Sequence, residues 1–181
     1  MAAEIVLVRH GETDWNLQRR VQGHSDTPLN DNGRAQALAL ADTLDDVELD
    51  AVYASDLARA FETARIVAER RGLPVTSVPG LRERNFGTWE GLTDTEIFER
   101  YPAAKNGSWG DAETQDEMRE RVLAALREIA AAHPGGRVLV VTHGGPVRRL
   151  LVECGRDGNG PIGNCALYEV RLKDGRFVGI D

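Results

Sequence analysis

A chain of 181 residues, 41% hydrophobic and 28% charged, is long enough for one domain with a real core and contains no low-complexity tract or repeat. Its net charge of -7 excludes the broad basic face that non-specific nucleic-acid binding needs, though not a local basic pocket. Two cysteines, Cys154 and Cys165, make no disulfide framework, and no CxxC or Cys/His cluster suggests a metal.

Met1 to Glu4 leads straight into an apolar stretch with no basic segment before it, so no signal peptide is expected. No 18-residue apolar run predicts a membrane span, and the expectation is a soluble, cytoplasmic protein. Ile5 to Val8 is apolar and mostly β-branched, the pattern of a fully buried strand, and Gly11 marks its end. Arg9 and His10 therefore emerge at its carboxyl end, the edge at which open α/β sheets bind ligands. Trp15 to Gly33 is a polar, irregular loop that ends at Asn30, a helix N-cap residue. Ala37, Leu40, Ala41 and Leu44 then recur at helical spacing.

Leu49 to Ala54 returns to a strand pattern and stops at Ser55-Asp56, a second N-cap signal. Leu57, Ala60, Phe61, Ala64 and Ala68 mark the apolar face of the next helix, and Val75 to Val78 is a short strand. From Pro79 to Trp109 the pattern is a mixed loop with a short helix. Glu117 to Ala132 is helical, with Met118, Val122, Ala125, Leu126 and Ile129 on one face. Val138 to Val141 is a second buried strand, Val147 to Glu153 a helix, and Ala166–Val170 with Phe177–Ile180 a hairpin across Lys173-Asp174-Gly175. Strands alternating with helices predict an α/β fold of three layers, α/β/α, around a mostly parallel sheet with crossover helices.

The two buried strands end alike, in Val8-Arg9-His10-Gly11 and Val141-Thr142-His143-Gly144. If parallel, they bring two histidines to one sheet edge, as metal ligands, as a nucleophile with a helper, or by coincidence. Arg9 argues against metal, because a cation repels one. Arg59 lies in the first turn of a helix, where the macrodipole disfavours positive charge, unless an anion is held there by amides and guanidinium together. Two His, two Arg and Gly-rich turns describe a phosphate site with a nitrogen nucleophile. Glu83, between Arg82 and Arg84, is the candidate acid, since a dianionic ligand beside it favours its protonated form.

These residues resemble the histidine phosphatase superfamily, in the branch that also holds the cofactor-dependent phosphoglycerate mutases. Leu7 to Thr13 with Trp15-Asn16 resembles the family's nucleophile segment. Gly23, Asp26, Pro28-Leu29, Gly33 and Gln36-Ala37 resemble the family's next stretch; Asn30 stands where the family more often has Thr, and caps a helix equally well. Ser55 to Ala60 with Glu62-Thr63-Ala64 resembles the second Arg segment, Leu81-Arg82-Glu83 with Phe86-Gly87 and Trp89-Glu90-Gly91 the acid segment, and Val141 to Gly145 the second His segment.

The resemblance implies that His10 is the nucleophile and forms a phosphohistidine. It implies that Arg9, Arg59 and His143 bind the phosphoryl oxygens and that Glu83 is the acid, then the base for water. Asn16 and the Gly144 amide would be further phosphate ligands, and Gln22 and Gly23 would line the pocket. No metal or organic cofactor is implied. The expected function is a metal-independent phosphatase acting on a small phosphorylated metabolite, one domain over 1–181 with a short lid-like segment at about 92–112. A phosphoglycerate mutase-type phosphotransferase is the alternative, but mutases of this branch carry a longer, Arg-rich segment there, and a phosphohistidine kept for a mutase must be hidden from water. A non-catalytic phosphate-binding module is disfavoured because Arg9, His10, Arg59, Glu83 and His143 are all present.

Outside this set, His24, Arg148 and Arg149 are expected at the surface and His133 as a helix C-terminal dipole partner. Trp15 and Trp89 are expected in the core, Cys154 buried and inert, and Trp109 against substrate. With Arg100 and Lys105 the only cations of the lid-like segment, a neutral or partly apolar leaving group is the weak preference.

Overall fold

The computed structural model describes residues 3–106 and 110–180. Its strands are β1 (Glu4–Arg9), β2 (Ala51–Ala54), β3 (Val75–Ser77), β4 (Arg137–Thr142), β5 (Leu167–Lys173) and β6 (Arg176–Gly179). Its α-helices are α1 (Asp14–Leu17), α2 (Asp31–Thr43), α3 (Ala58–Glu69), α4 (Asp94–Arg100), α5 (Gln115–Ala132) and α6 (Gly144–Glu153). The sheet runs β3-β2-β4-β1-β5-β6. β3, β2, β4 and β1 are parallel, and β5 and β6 join through antiparallel ladders.

A side-chain period of two divides the core between the faces of this sheet. Ile5, Leu7, Val138 and Val140 pack with Val122, Leu126 and Ile129 of α5 and Val147 and Leu150 of α6. Val6, Val8, Leu139 and Val141 pack with Leu40 and Ala41 of α2 and Ala60, Ala64 and Val67 of α3. β1 and β4 are apolar at every interior position because helices cover both faces. The three-layer α/β/α arrangement expected from the sequence is the one observed.

Four details differ from the sequence reading. α1 falls where the pattern predicts loop: it is four residues long with none buried, so it leaves no apolar period, and a capping box between Thr13 and Asn16 holds it. α3 is not capped by Ser55 or Asp56; Leu57 is its N-cap and makes no side-chain bond. Asp26, from the loop before α2, accepts the Ala58 N–H instead at 2.6 Å, while Asp56 pairs with Arg82. β2 begins two residues later than Leu49. α6 begins at Gly144 rather than Val147, because Pro146 sits in the first turn, where its missing N–H has no partner to lose. The expected terminal hairpin turns through Asp174 (φ 50°) and Gly175 (φ 77°), the two left-handed residues of a type I′ turn.

The segment leaving β1 lies backbone to backbone against the start of α2. A Cβ on Gly11 would fall 2.5 Å from the Gly33 carbonyl oxygen, and one on Gly33 would fall 2.1 Å from that of Glu12. Asn30 caps α2 by accepting the Gly33 N–H at 2.8 Å, and Gln36 accepts the Glu12 N–H at 2.9 Å. These contacts fix where His10 stands.

Trp89 is in a small core with Leu92 and Ile97, and Trp15 is half-buried. Cys154 is half-buried rather than buried, and burial raises its thiol pKa. His133 ends α5 as expected, and its Nε2 also meets the Tyr53 hydroxyl at 2.8 Å. Trp109 lies outside the described residues. Among the described residues no helix is long and apolar enough to cross a membrane, and no group of three or more His, Cys, Asp or Glu could hold a metal.

Candidate active site

The register of the two central strands sets the site. Arg9 pairs with Thr142, and the His10 N–H donates to the Thr142 carbonyl at 2.9 Å. His10 and His143 thus leave the sheet side by side, ring centroids 5.2 Å apart and inclined at 63°. His10 Nδ1 lies 2.6 Å from the Gly11 carbonyl oxygen, which only accepts, so Nδ1 is the protonated nitrogen. The lone pair of the neutral ring is then on Nε2. Burial, then Arg59 and Arg9, hold the His10 pKa well below 6.5. The same three influences, with His10 itself, push His143 down.

Arg59 is not a solvated surface arginine: it is fully buried at the second position of α3. Its Nη1 and Nη2 donate to the carbonyls of Ser25 and Gly23, each at 2.8 Å. Burial lowers its pKa to about 10, so it stays cationic at neutral pH. Arg9 donates through Nη1 to the Ile162 carbonyl, and burial lowers its pKa as well. Arg9 Nε, Arg59 Nε and both ring nitrogens of His143 are buried without a hydrogen-bond partner among the described residues. A buried unsatisfied donor costs about 1–3 kcal/mol, more when charged. Neutral His143 donates from one ring nitrogen, so three donors gathered here, with Arg9 Nε and Arg59 Nε, fit an oxyanion that would accept from them.

Glu83 is held at the rim. One carboxyl oxygen accepts the Arg84 N–H at 2.8 Å and the other the Gly145 N–H at 3.0 Å. Its carbonyl accepts from Arg121 Nη2 at 3.2 Å and lies 2.9 Å from His24 Nε2. Gly145 is needed for this approach, since a Cβ there would stand 2.1 Å from Glu83 Oε1.

One cleft of about 200 Å³ is lined by Arg9, His10, Asn16, Gln22, Gly23, Arg59, Glu83 and Gly144. His143, fully buried, lies against His10 behind it. The structure therefore brings together every residue singled out from the sequence for this site. Asn16 Oδ1 accepts the Thr13 N–H at 3.0 Å, and Gln22 Oε1 accepts from the Thr13 and Thr27 hydroxyls at 3.0 and 2.6 Å. With those oxygens engaged, each amide has its NH₂ left to offer an anion.

The sequence reading missed several contributors. Arg20, Val21 and Phe86 also line the cleft. Thr63 accepts the Gly11 N–H at 3.0 Å and donates to the Arg59 carbonyl at 2.7 Å. Asn164, far along the chain, donates to the His10 carbonyl at 3.0 Å. Glu90 ties the loop before α2 to the acid segment by accepting from His24, Ser25 and Phe86 N–H groups. His24 is part-buried beside Glu83 rather than at the plain surface; Arg148 is exposed as expected, Arg149 is half-buried, and both border space beyond Glu83.

The low pKa of the buried histidines sets a pH dependence. The unfolded chain binds protons near pH 6.5 on imidazoles that stay neutral in the native state. Stability is therefore complete above 6.5 and falls as the pH drops below it, with a slope approaching about 1.4 kcal/mol per pH unit for each histidine. Denaturant titrations between pH 7.5 and 5 check this, and the His143→Asn protein should show the shallower decline. A stability that rises as the pH falls through 6.5 would contradict it.

Compared with known proteins, the sequence matches the histidine phosphatase superfamily (branch 1) over residues 5–179. It is similar to "Phosphoglycerate mutase-like protein 4" of Arabidopsis thaliana, at 45% identity over 159 residues, which cover 82% of this chain and 69% of the relative. It is similar to "Metal-independent phosphoserine phosphatase" of the same plant, at 39% identity over 187 residues, covering 97% and 79%. Among solved structures, Bacillus stearothermophilus YhfR superposes with a TM-score of 0.90 at 34% identity, covering 98% of this chain and 95% of that one.

Proposed function

This chain belongs to the histidine phosphatase superfamily, and we propose that it is a metal-independent phosphomonoester phosphatase working through His10 on a small phosphorylated metabolite. The observation that carries this reading is the neutral, buried His10 set among unpartnered cationic and imidazole donors. Arg9, Arg59 and His143 hold the phosphoryl oxygens, with the amides of Asn16 and Gly144 as further donors and Gln22 and Gly23 as walls. His10 Nε2 attacks phosphorus in line with the ester oxygen; the P–O bond breaks as the N–P bond forms, and Glu83 gives its proton to the departing alcohol. Glu83 then takes a proton from water, which attacks the phosphohistidine and releases phosphate.

The chain is read as one domain, with the described residues of 92–112 as its short lid-like segment. None of the described residues of that segment lines the His10 cleft, which favours access of water and hence hydrolysis over a mutase. The names of the relatives support the same class.

Hydrolysis of an aryl phosphate with a metal chelator present tests the proposal. Turnover unchanged by the chelator is expected. Turnover that the chelator abolishes, or bisphosphate-primed isomerisation of phosphoglycerate with no hydrolysis, would overturn it.

A further inference from the structure

A general acid delivers its proton only from a geometry held to a fraction of an ångström, so what fixes the Glu83 backbone matters as much as what meets its carboxyl. Glu83 lies between two short 3₁₀ turns, Pro79–Leu81 and Gly87–Trp89, and no strand or α-helix carries it. The carbonyls from Gly80 to Glu83 are nevertheless all held. The Thr142 hydroxyl, at the end of β4, donates to the Leu81 carbonyl at 2.6 Å. Arg121 of α5 holds the others: Nη1 donates to the carbonyls of Gly80 and Arg82 at 3.0 and 3.1 Å, and Nη2 to that of Glu83 at 3.2 Å.

The guanidinium is itself locked. Its remaining N–H groups make a bidentate pair with Glu113, Nε to Oε1 at 3.0 Å and Nη2 to Oε2 at 2.8 Å. A guanidinium has five N–H donors, and Arg121 has an acceptor for each, so none is left for a substrate. Glu113 is tied to the same stretch: Oε2 accepts the Asn85 N–H at 3.0 Å, and the Glu113 N–H donates to the Asn85 carbonyl at 2.9 Å. Burial opposes its charge, but the hydrogen bonds from Arg121 and Asn85 outweigh that and hold its pKa below the usual value. α5 is a rigid reference for this clamp, since Val122 and Leu126 seat it in the core. Gly80 presses so closely on it that a Cβ there would stand 2.9 Å from that of Ala125. The other group at the Glu83 carbonyl, His24 Nε2 at 2.9 Å, comes from a loop.

We propose that Arg121 is a positioning residue for the acid: its saturated fork fixes the backbone of the Glu83 stretch to α5 and so aims the carboxyl at the leaving oxygen. Arg121 touches neither substrate nor reacting atoms and acts through Glu83 alone. This rests on the reading of Glu83 as the acid given above.

The test compares kcat/KM, which reports the first phosphoryl transfer, on two esters. The alcohol of phenethyl phosphate needs a proton to leave, and the phenolate of dinitrophenyl phosphate does not. Arg121→Gln lowers kcat/KM for the first about 10²-fold, the cost of an ångström-scale misplacement, and leaves the second nearly unchanged. In Glu83→Gln protein, which already lacks the proton, adding Arg121→Gln costs nothing further on phenethyl phosphate. If Arg121→Gln protein does not fold, Glu113→Gln, which removes the charge that holds the fork, carries both comparisons, with a smaller loss confined to the same ester. Equal losses on the two esters, no loss on either, or losses that add in the double variant would overturn the positioning role while the acid reading stands. A Glu83→Gln protein that loses no more on phenethyl than on dinitrophenyl phosphate would bring down the acid reading and the positioning role with it.

Discussion

His10→Ala lowers kcat by about 10⁴- to 10⁶-fold, the range seen when a covalent nucleophile is removed from a preorganised site. No neighbour can take over. His143 is fully buried behind it, 5.2 Å away ring to ring, and Glu83 is occupied by two backbone N–H groups at the rim. Arg9 and Arg59 keep their backbone anchors at Ile162, Ser25 and Gly23 in the variant, so the anion site persists. Binding of inorganic phosphate, followed by calorimetry, should therefore change only a few-fold while turnover collapses. Loss of both together would mean that His10 is needed for the fold of the site rather than for attack.

Glu83→Gln has the second largest effect, about 10²- to 10⁴-fold on alkyl phosphates, the usual contribution of a positioned general acid. The glutamine can still accept the Arg84 and Gly145 N–H groups through its one oxygen or relax from one of them, so the rim keeps its outline. The two half-reactions respond differently. A nitrophenolate leaves without a proton, so the first transfer from an aryl phosphate is spared, whereas water still needs a base in the second. Stopped-flow traces of the variant should show a burst of nitrophenolate followed by a slow steady state. Equal loss on aryl and alkyl esters with no burst would place Glu83 among the positioning residues.

Much of this was legible in the sequence for a physical reason. Ile5–Val8 and Val138–Val141 are apolar without alternation because helices cover both faces of the sheet, and that pattern alone marks buried parallel strands. Once they are parallel neighbours, the identical position of His10 and His143 at their ends is a consequence of register. Gly33 and Asn30 could be seen as turn and cap, but their role in seating the His10 segment depends on a backbone approach no local pattern encodes.

The features hidden from sequence came from distant chain. Asp26 caps α3 in place of Ser55 or Asp56, because the helix start meets a loop from 32 residues earlier. Asn164 and Ile162 brace His10 and Arg9 from more than 150 residues away. Arg148 is exposed, as its helix-face pattern implies, while Arg149 is half-buried because Phe86 and Gln115 come to it from separate segments. α1 has no buried residue and so no hydrophobic signature.

The phosphohistidine is the central claim, and rapid mixing with substrate followed by an alkaline quench and peptide mapping tests it most directly. The account predicts a phosphoryl group, stable to base and labile to acid, on the peptide that carries His10, and its accumulation in Glu83→Gln protein. Turnover with no protein-bound phosphoryl group, or one carried by another residue, would contradict it.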